Sequence, residues 1–140
     1  MIKYQKLPEQ IMKFLPKAEA YLRENPNVIF AYLFGGLTKG KVLPMSDVDI
    51  AVFLSGDVDC LDEKMEILQK LTDILKTDEI DLVVLNKASL PLTARIIKNK
   101  KILADKDVFL RHRFESLILR KYFDFSVKEK SIFKRRYSIG

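Results

Sequence analysis

The sequence predicts a small α/β (α+β) domain in which a mixed β-sheet is flanked by helices. Apolar segments rich in β-branched and aromatic residues predict buried strands at 28–34, 48–54 and 80–85. Apolar residues that recur every three or four positions predict helices before, between and after these strands. No internal repeat or Gly/Ser linker divides the 140 residues, so we expect one domain, residues 1–140.

The helical segments follow from this periodicity and from the residues that interrupt it. The first is expected to form two short pieces, because Pro16 lacks the backbone N–H that a helix interior needs. A short extended piece is expected at Ile102-Leu103, and residues 126–140 form a basic C-terminal extension, either a short helix or a loose tail. Helices are predicted at about 9–24, 59–76, 91–99 and 107–123.

The charge of the chain is unevenly distributed. The net charge is +6, yet residues 1–85 carry 10 basic and 14 acidic side chains, whereas residues 86–140 carry 15 basic and 5 acidic ones. A basic tail of this kind can bind nucleic acid through its phosphates, although a solvated surface or a surface for a partner protein is favoured here.

No apolar segment approaches the roughly 20 residues needed to cross a membrane. The single cysteine, Cys60, cannot form an internal disulfide. A cytoplasmic location is therefore expected.

A glycine-rich turn follows the first strand. Gly35 and Gly36 come directly after Phe34, and Thr38 and Lys39 follow them. Glycines allow backbone N–H groups to approach a ligand closely. A helical turn opening after them would present free N–H groups to an anion such as phosphate. A plain turn is the simpler interpretation, since Gly-Gly after a strand is common.

Three carboxylates lie at the starts of two strands. Asp47 and Asp49 are two residues apart, so their side chains point to the same face about 7 Å apart. Two neighbouring carboxylates repel unless a cation lies between them, and Mg²⁺ suits such oxygen ligands. Asp81 is the only polar residue of its strand and needs a partner or a metal if buried. If the two strands pair, the three carboxylates can hold two metal ions.

At these positions the sequence resembles the DNA-polymerase-β-like nucleotidyltransferases. The family signature is an apolar residue followed by Gly and Gly or Ser, then a carboxylate–apolar–carboxylate–apolar segment, and later a carboxylate between apolar residues. The matching segments are Phe34-Gly35-Gly36, Asp47-Val48-Asp49-Ile50 and Ile80-Asp81-Leu82. The small size, Ser46 before Asp47, and the C-terminal segment 113–125 are similar to those of the MntA-type antitoxins of HEPN/MNT toxin–antitoxin pairs.

The resemblance implies a nucleotidyltransferase fold and an Mg²⁺-dependent transfer of AMP from ATP. The acceptor would be a tyrosine of a cognate HEPN-domain RNase toxin, with which the chain would form a hetero-oligomer. Two Mg²⁺ ions would be bound by the carboxylates Asp47, Asp49 and Asp81. The nucleotide would be held by Gly35, Gly36, Thr38 and Lys39.

Two departures from the MntA pattern leave alternatives open. Those antitoxins usually carry Ser, whose hydroxyl helps hold the triphosphate, where this chain has Gly36, and Lys39 stands where their loop has Arg. The alternatives are a non-catalytic antitoxin that only occludes its partner, a small-molecule nucleotidyltransferase with the same metal site, and a nucleic-acid binder that uses the basic tail.

Overall fold

The computed structural model describes residues 11–36 and 47–137, with side chains described as far as residue 130. Four helices and four strands follow one another along the chain. The helices are α1 (Ile11–Glu24), α2 (Cys60–Leu75), α3 (Leu90–Lys98) and α4 (Val108–Tyr137). The strands are β1 (Val28–Phe34), β2 (Val48–Leu54), β3 (Ile80–Val84) and β4 (Lys101–Asp105). None of the helices in these described residues combines the length and the apolar character needed to span a membrane.

The four strands form one mixed sheet in the order β3-β2-β1-β4. The central strand β1 runs antiparallel to both of its neighbours, β2 and β4. β2 and β3 are parallel, and α2 makes the connection between them. The predicted α/β class with a small mixed sheet is therefore confirmed.

Each face of the sheet is covered by a different pair of helices. On one face, α1 and α2 pack against side chains of β2 such as Val48, Ile50 and Val52. On the other face, α3 and α4 pack against the alternate residues, including Ala51 and the aromatic rings of β1. Asp49 shares the parity of Ala51, and Asp81 shares that of Val83, so both carboxylates lie on the α3/α4 face.

Three local expectations differ from the structure. α1 is one continuous helix with Pro16 inside it, because the buried stripe of Ile11, Leu15, Ala18 and Leu22 compensates for one lost backbone hydrogen bond. The extended piece at Ile102-Leu103 is part of a full strand, β4, at the edge of the sheet. The last helix does not end near residue 123 but continues to Tyr137.

Candidate functional site

Asp49 and Asp81 lie side by side on neighbouring parallel strands. The register of β2 and β3 pairs Val48 with Ile80 and Asp49 with Asp81. Neighbouring strands are about 4.8 Å apart, so two acidic residues 32 positions apart in the chain occupy adjacent places on one face. Asp49 is half-buried and Asp81 is exposed. Like charges directly opposite each other destabilise a sheet, so this pair is unfavourable for the sheet by itself.

Asp47 immediately precedes β2 and is exposed. It lies two residues before Asp49, and alternation along an extended chain predicts that it faces the same side. Among residues 11–36 and 47–137, no group of three or more Asp, Glu, His or Cys side chains lies close enough to hold a metal ion as placed. Mg²⁺, however, usually binds through one or two carboxylates together with water and substrate phosphates. The neighbouring oxygens of Asp49 and Asp81 fit that requirement.

Gly35 is required at its position by two independent constraints. Its φ is 75°, a left-handed conformation that side chains disfavour. A Cβ at Gly35 would also lie only 2.0 Å from Oδ2 of Asp49, so any side chain there would displace the carboxylate. The register explains this contact, because the preceding residue, Phe34, is paired with Asp49 across β1 and β2. The glycine turn and the carboxylate were separate motifs in the sequence and are one unit in the structure.

Gly36 differs from its neighbour. A Cβ built on Gly36 meets no atom within 4 Å, and its φ is not in the left-handed region. The position can therefore accept a larger residue, including the Ser of the MntA pattern. The other residues expected to bind nucleotide, Thr38 and Lys39, lie outside the described residues.

A cleft of about 450 Å³ brings the glycine turn, Asp49 and Asp81 together with a third element, the helix α3. The residues of α3 and its C-cap that line it were not identified from the sequence; they are Arg95, Ile96 and Asn99. Arg95 is exposed and forms no ion pair with any described residue, although two carboxylates line the same cleft. The described lining residues are Phe34, Gly35, Gly36, Asp49, Asp81, Arg95, Ile96 and Asn99.

A faint signal for Arg95 and Asn99 was present in the sequence. The two are four positions apart, so they lie on one stripe of a helix, and that helix follows the strand that carries Asp81. The cap of the helix connects them directly, because the Asn99 side-chain amide donates to the Arg95 carbonyl at 3.0 Å. The sequence does not show that this stripe faces the carboxylates, because that depends on how α3 packs across the sheet.

A second set of charges lies buried where α4 meets the sheet. We call it the Arg111–Glu115 cluster; its other members are Tyr32, Lys100 and Asp105. The Tyr32 hydroxyl donates to Glu115 at 2.5 Å, and Arg111 donates to Glu115 at 3.2 Å and to Asp105 at 2.8 Å. Lys100 lies 3.2 Å from Glu115. These contacts fasten α4 to β1 and β4.

The pKa values in this cluster follow from burial and from hydrogen bonding. Burial by itself raises the pKa of the Glu115 carboxyl, but hydrogen bonds from Tyr32, Lys100 and Arg111 outweigh it, so the pKa lies below its ordinary value. Burial raises the pKa of the Tyr32 hydroxyl, and the adjacent Glu115 raises it further. Glu115 is therefore ionised and Tyr32 neutral at physiological pH.

Comparisons with known proteins place this chain beside nucleotide-transferring antitoxins. A curated relative, the protein adenylyltransferase MntA of Shewanella oneidensis, is 37% identical over 81 residues, which are 57% of each chain; the aligned segment thus spans little more than half of that relative. A solved toxin–antitoxin structure with AMP-PNP matches with a TM-score of 0.70 at 25% identity, covering 88% of this chain and 98% of the other. A complex described as tri-AMPylated Shewanella oneidensis HEPN toxin with MNT antitoxin matches with a TM-score of 0.67 at 25% identity, covering 91% and 99%.

The match to a protein family extends over most of the structural core. The model of the family described as Polymerase beta, Nucleotidyltransferase matches residues 16–108, which include the glycine turn, all three carboxylates and Arg95. The sheet with its helices is thus a nucleotidyltransferase fold. The chain belongs to the polymerase β nucleotidyltransferase family.

Proposed function

We propose that this protein is a protein adenylyltransferase that acts as an antitoxin, transferring AMP from ATP to a tyrosine of a HEPN RNase toxin. The observation that carries the proposal is the pairing of Asp49 with Asp81 in register, with Gly35 packed against the Asp49 carboxylate. The related complexes support the nucleotide, since one contains AMP-PNP, and the acceptor, since another contains an AMPylated HEPN toxin. The protein would work in the cytoplasm as a hetero-oligomer with its toxin.

The carboxylates would hold Mg²⁺. We assign Asp47 and Asp49 to two Mg²⁺ ions and Asp81 to the ion nearer the acceptor. In reactions of this type the metal lowers the pKa of the attacking hydroxyl and stabilises charge on the phosphates. Gly35 and Gly36 present backbone N–H groups to the β- and γ-phosphates, and we assign Thr38 and Lys39 to the same phosphates.

The transfer is a displacement at the α-phosphorus of ATP. The tyrosine oxygen forms a bond to that phosphorus, the bond to the β-phosphate oxygen breaks, and pyrophosphate leaves with the electron pair. The tyrosine proton passes to water. The open cleft on the α3/α4 face would receive both reactants, and Asp49, held beside Gly35, would orient them before reaction.

Label transfer tests the catalytic claim. The wild-type protein, Mg²⁺, α-labelled ATP and the HEPN protein from the neighbouring reading frame are combined, and label on the HEPN protein is measured. We expect transfer by the wild-type protein and by the control Asp73→Asn, an exposed acid on α2. We expect none with Asp47→Asn or after chelation of the metal. Equal transfer by Asp47→Asn would refute the proposal.

The second candidate function is neutralisation by binding alone. It is favoured by the exposed apolar side chains on the outer half of α4, where Phe123 is 67%, Val127 48% and Phe125 40% exposed, and by the absence of a hydroxyl at Gly36. Protection of cells from the toxin separates the two functions. We expect Asp49→Asn to lose protection, whereas retained protection would favour occlusion.

A further inference from the structure

One positively charged side chain lines the cleft, and the proposed function leaves it without a role. Among the described lining residues, Arg95 is the single cation, whereas Asp49 and Asp81 contribute two negative charges. Arg95 is exposed and forms no ion pair with either carboxylate, or with any other residue of 11–36 and 47–130. Its guanidinium can therefore bind an anion that enters the cleft.

The backbone of Arg95 is fixed by its neighbours in the helix. Ala94 and Ile96, on either side of it, are buried with 0% and 1% of their surface exposed. Ile96 belongs to the core on the α3/α4 face. The Arg95 carbonyl accepts a hydrogen bond of 3.0 Å from the side-chain amide of Asn99, the C-cap of α3. The guanidinium thus extends from a rigid element, as a site that positions its ligand requires.

A guanidinium at this place suits a polyphosphate. Its N–H groups form a planar fork that can donate to two phosphate oxygens at once. The cation that the sequence places in the glycine-rich loop, Lys39, is an ammonium and cannot form such a fork. The glycine turn and Arg95 line the same cleft but belong to different elements, one at the end of β1 and one on α3. A triphosphate in the cleft would be contacted from both.

We infer that Arg95 binds the β- and γ-phosphates of ATP and stabilises the pyrophosphate that leaves. The inference rests on the proposed function and adds a binding residue from α3 to it. As the acceptor oxygen bonds to the α-phosphorus, the bond to the bridging oxygen breaks, and the electron pair stays with the pyrophosphate. A cation already in place where this charge develops lowers the barrier to transfer.

Binding in the absence of the acceptor tests the inference separately from catalysis. Isothermal titration calorimetry measures the Kd of the full-length protein with Mg²⁺ for two probes, AMP-PNP and inorganic pyrophosphate. The variants are Arg95→Ala, which removes the guanidinium, and Arg95→Lys, which keeps the charge but not the fork. The matched control is Lys98→Ala, because Lys98 is an exposed cation of the same helix that does not line the cleft.

We expect Arg95→Ala to bind both probes at least about tenfold more weakly than wild type, since hydrogen bonds to charged groups contribute this much. Arg95→Lys should lose about threefold, because a point charge replaces the bidentate donor. Lys98→Ala should match wild type. In label transfer, kcat/KM for ATP should fall at least about tenfold in Arg95→Ala, while the KM for the HEPN partner stays within about twofold. Circular dichroism confirms that each variant is folded.

Four results would overturn the inference. The first is unchanged affinity of Arg95→Ala for AMP-PNP and pyrophosphate. The second is a loss for AMP-PNP alone, or a wild-type protein that binds no pyrophosphate, which would assign Arg95 to the α-phosphate or the nucleoside. The third is a raised KM for the HEPN partner with normal AMP-PNP binding, which would assign Arg95 to the acceptor. The fourth is an equal loss in Lys98→Ala, which would indicate a general effect of positive charge.

The proposed function fails by a different result. A wild-type protein that binds AMP-PNP and pyrophosphate through Arg95, yet transfers no label to the HEPN partner, would refute adenylyl transfer and leave the phosphate site in place. Label transfer by wild type together with normal probe binding by Arg95→Ala would have the opposite meaning, because the function would stand and the role of Arg95 would fall.

Discussion

The two charged regions on the α3/α4 face are built in opposite ways. In the Arg111–Glu115 cluster, charges of both signs are paired at 2.8–3.2 Å and are largely buried. In the cleft, Asp49 and Asp81 are two like charges in adjacent register, and the nearby Arg95 is paired with neither of them.

This difference distinguishes charged residues that stabilise the fold from charged residues that the fold places in the cleft. Opposite charges in the buried cluster pair with one another through Glu115 and through Oδ2 of Asp105, and these pairs hold α4 in place. Like charges in adjacent register repel each other, and a cation between them relieves the repulsion. A protein retains such an arrangement when it has a use, and the proposed function supplies one, the binding of metal and nucleotide. Changes in the cleft should therefore alter activity, whereas changes in the cluster should alter stability.

The largest effect is expected from a methyl group at Gly35. Gly35→Ala places a Cβ 2.0 Å from Oδ2 of Asp49 and strains a residue whose φ is 75°. We expect AMP transfer to fall by about a hundredfold, because a misplacement of about 1 Å is enough for such a loss. The measurement is the initial rate of label transfer to the HEPN partner.

Gly36→Ala is the matched control for this substitution. It adds the same methyl group one residue later, where nothing lies within 4 Å, and transfer should remain within about threefold of wild type. Equal losses in the two variants would show that the loop tolerates no side chain anywhere, and the specific link between Gly35 and Asp49 would be wrong.

A substitution in the buried cluster should act on stability. Glu115→Gln removes the charge that faces Arg111 and Lys100, and we expect the free energy of unfolding to fall by about 3 kcal/mol. Urea denaturation measures this change. Glu129→Gln, on an exposed turn of the same helix, should change it by less than about 0.5 kcal/mol. If both variants were equally stable, the cluster would not be what fastens α4.

A smaller effect is expected in the pH dependence of stability. Because the pKa of Glu115 is lowered from its ordinary value of 4.5, its stabilisation is complete above that value and is lost as the pH falls through the lower pKa of the folded state. Glu115→Gln should therefore lose less stability than wild type on acidification below 4.5. Parallel pH profiles of the two proteins would contradict this assignment.

The sequence predicted the central part of this fold because its signals there were local and strong. β1 and β2 are continuous runs of β-branched and aromatic residues, and their bounds agree with the structure. β4 was recognised only in part, because it is a five-residue edge strand with charged residues at both ends. The length of α4 was underestimated because its outer half lacks a buried stripe, so the periodicity that indicates a helix is weak there.

The carboxylates of the candidate site were predictable from the sequence, but the residues that surround them in the cleft were not. Asp49 and Asp81 stand out because each is a charge within an apolar strand. Their adjacency depended on the pairing of β2 with β3, which no spacing in the sequence determines. The contact of Gly35 with Asp49 and the entry of Arg95 into the cleft arise from strand register and helix packing, which are properties of the folded chain.

The most direct test of the account measures activity and stability together on Asp81→Asn. Asp81 is exposed and lies opposite Asp49, so removing its charge relieves repulsion. We expect the free energy of unfolding to stay the same or rise by about 0.5 kcal/mol, while AMP transfer to the HEPN partner falls at least about a hundredfold. Transfer at the wild-type rate, or a loss of more than about 1 kcal/mol of stability, would contradict the account.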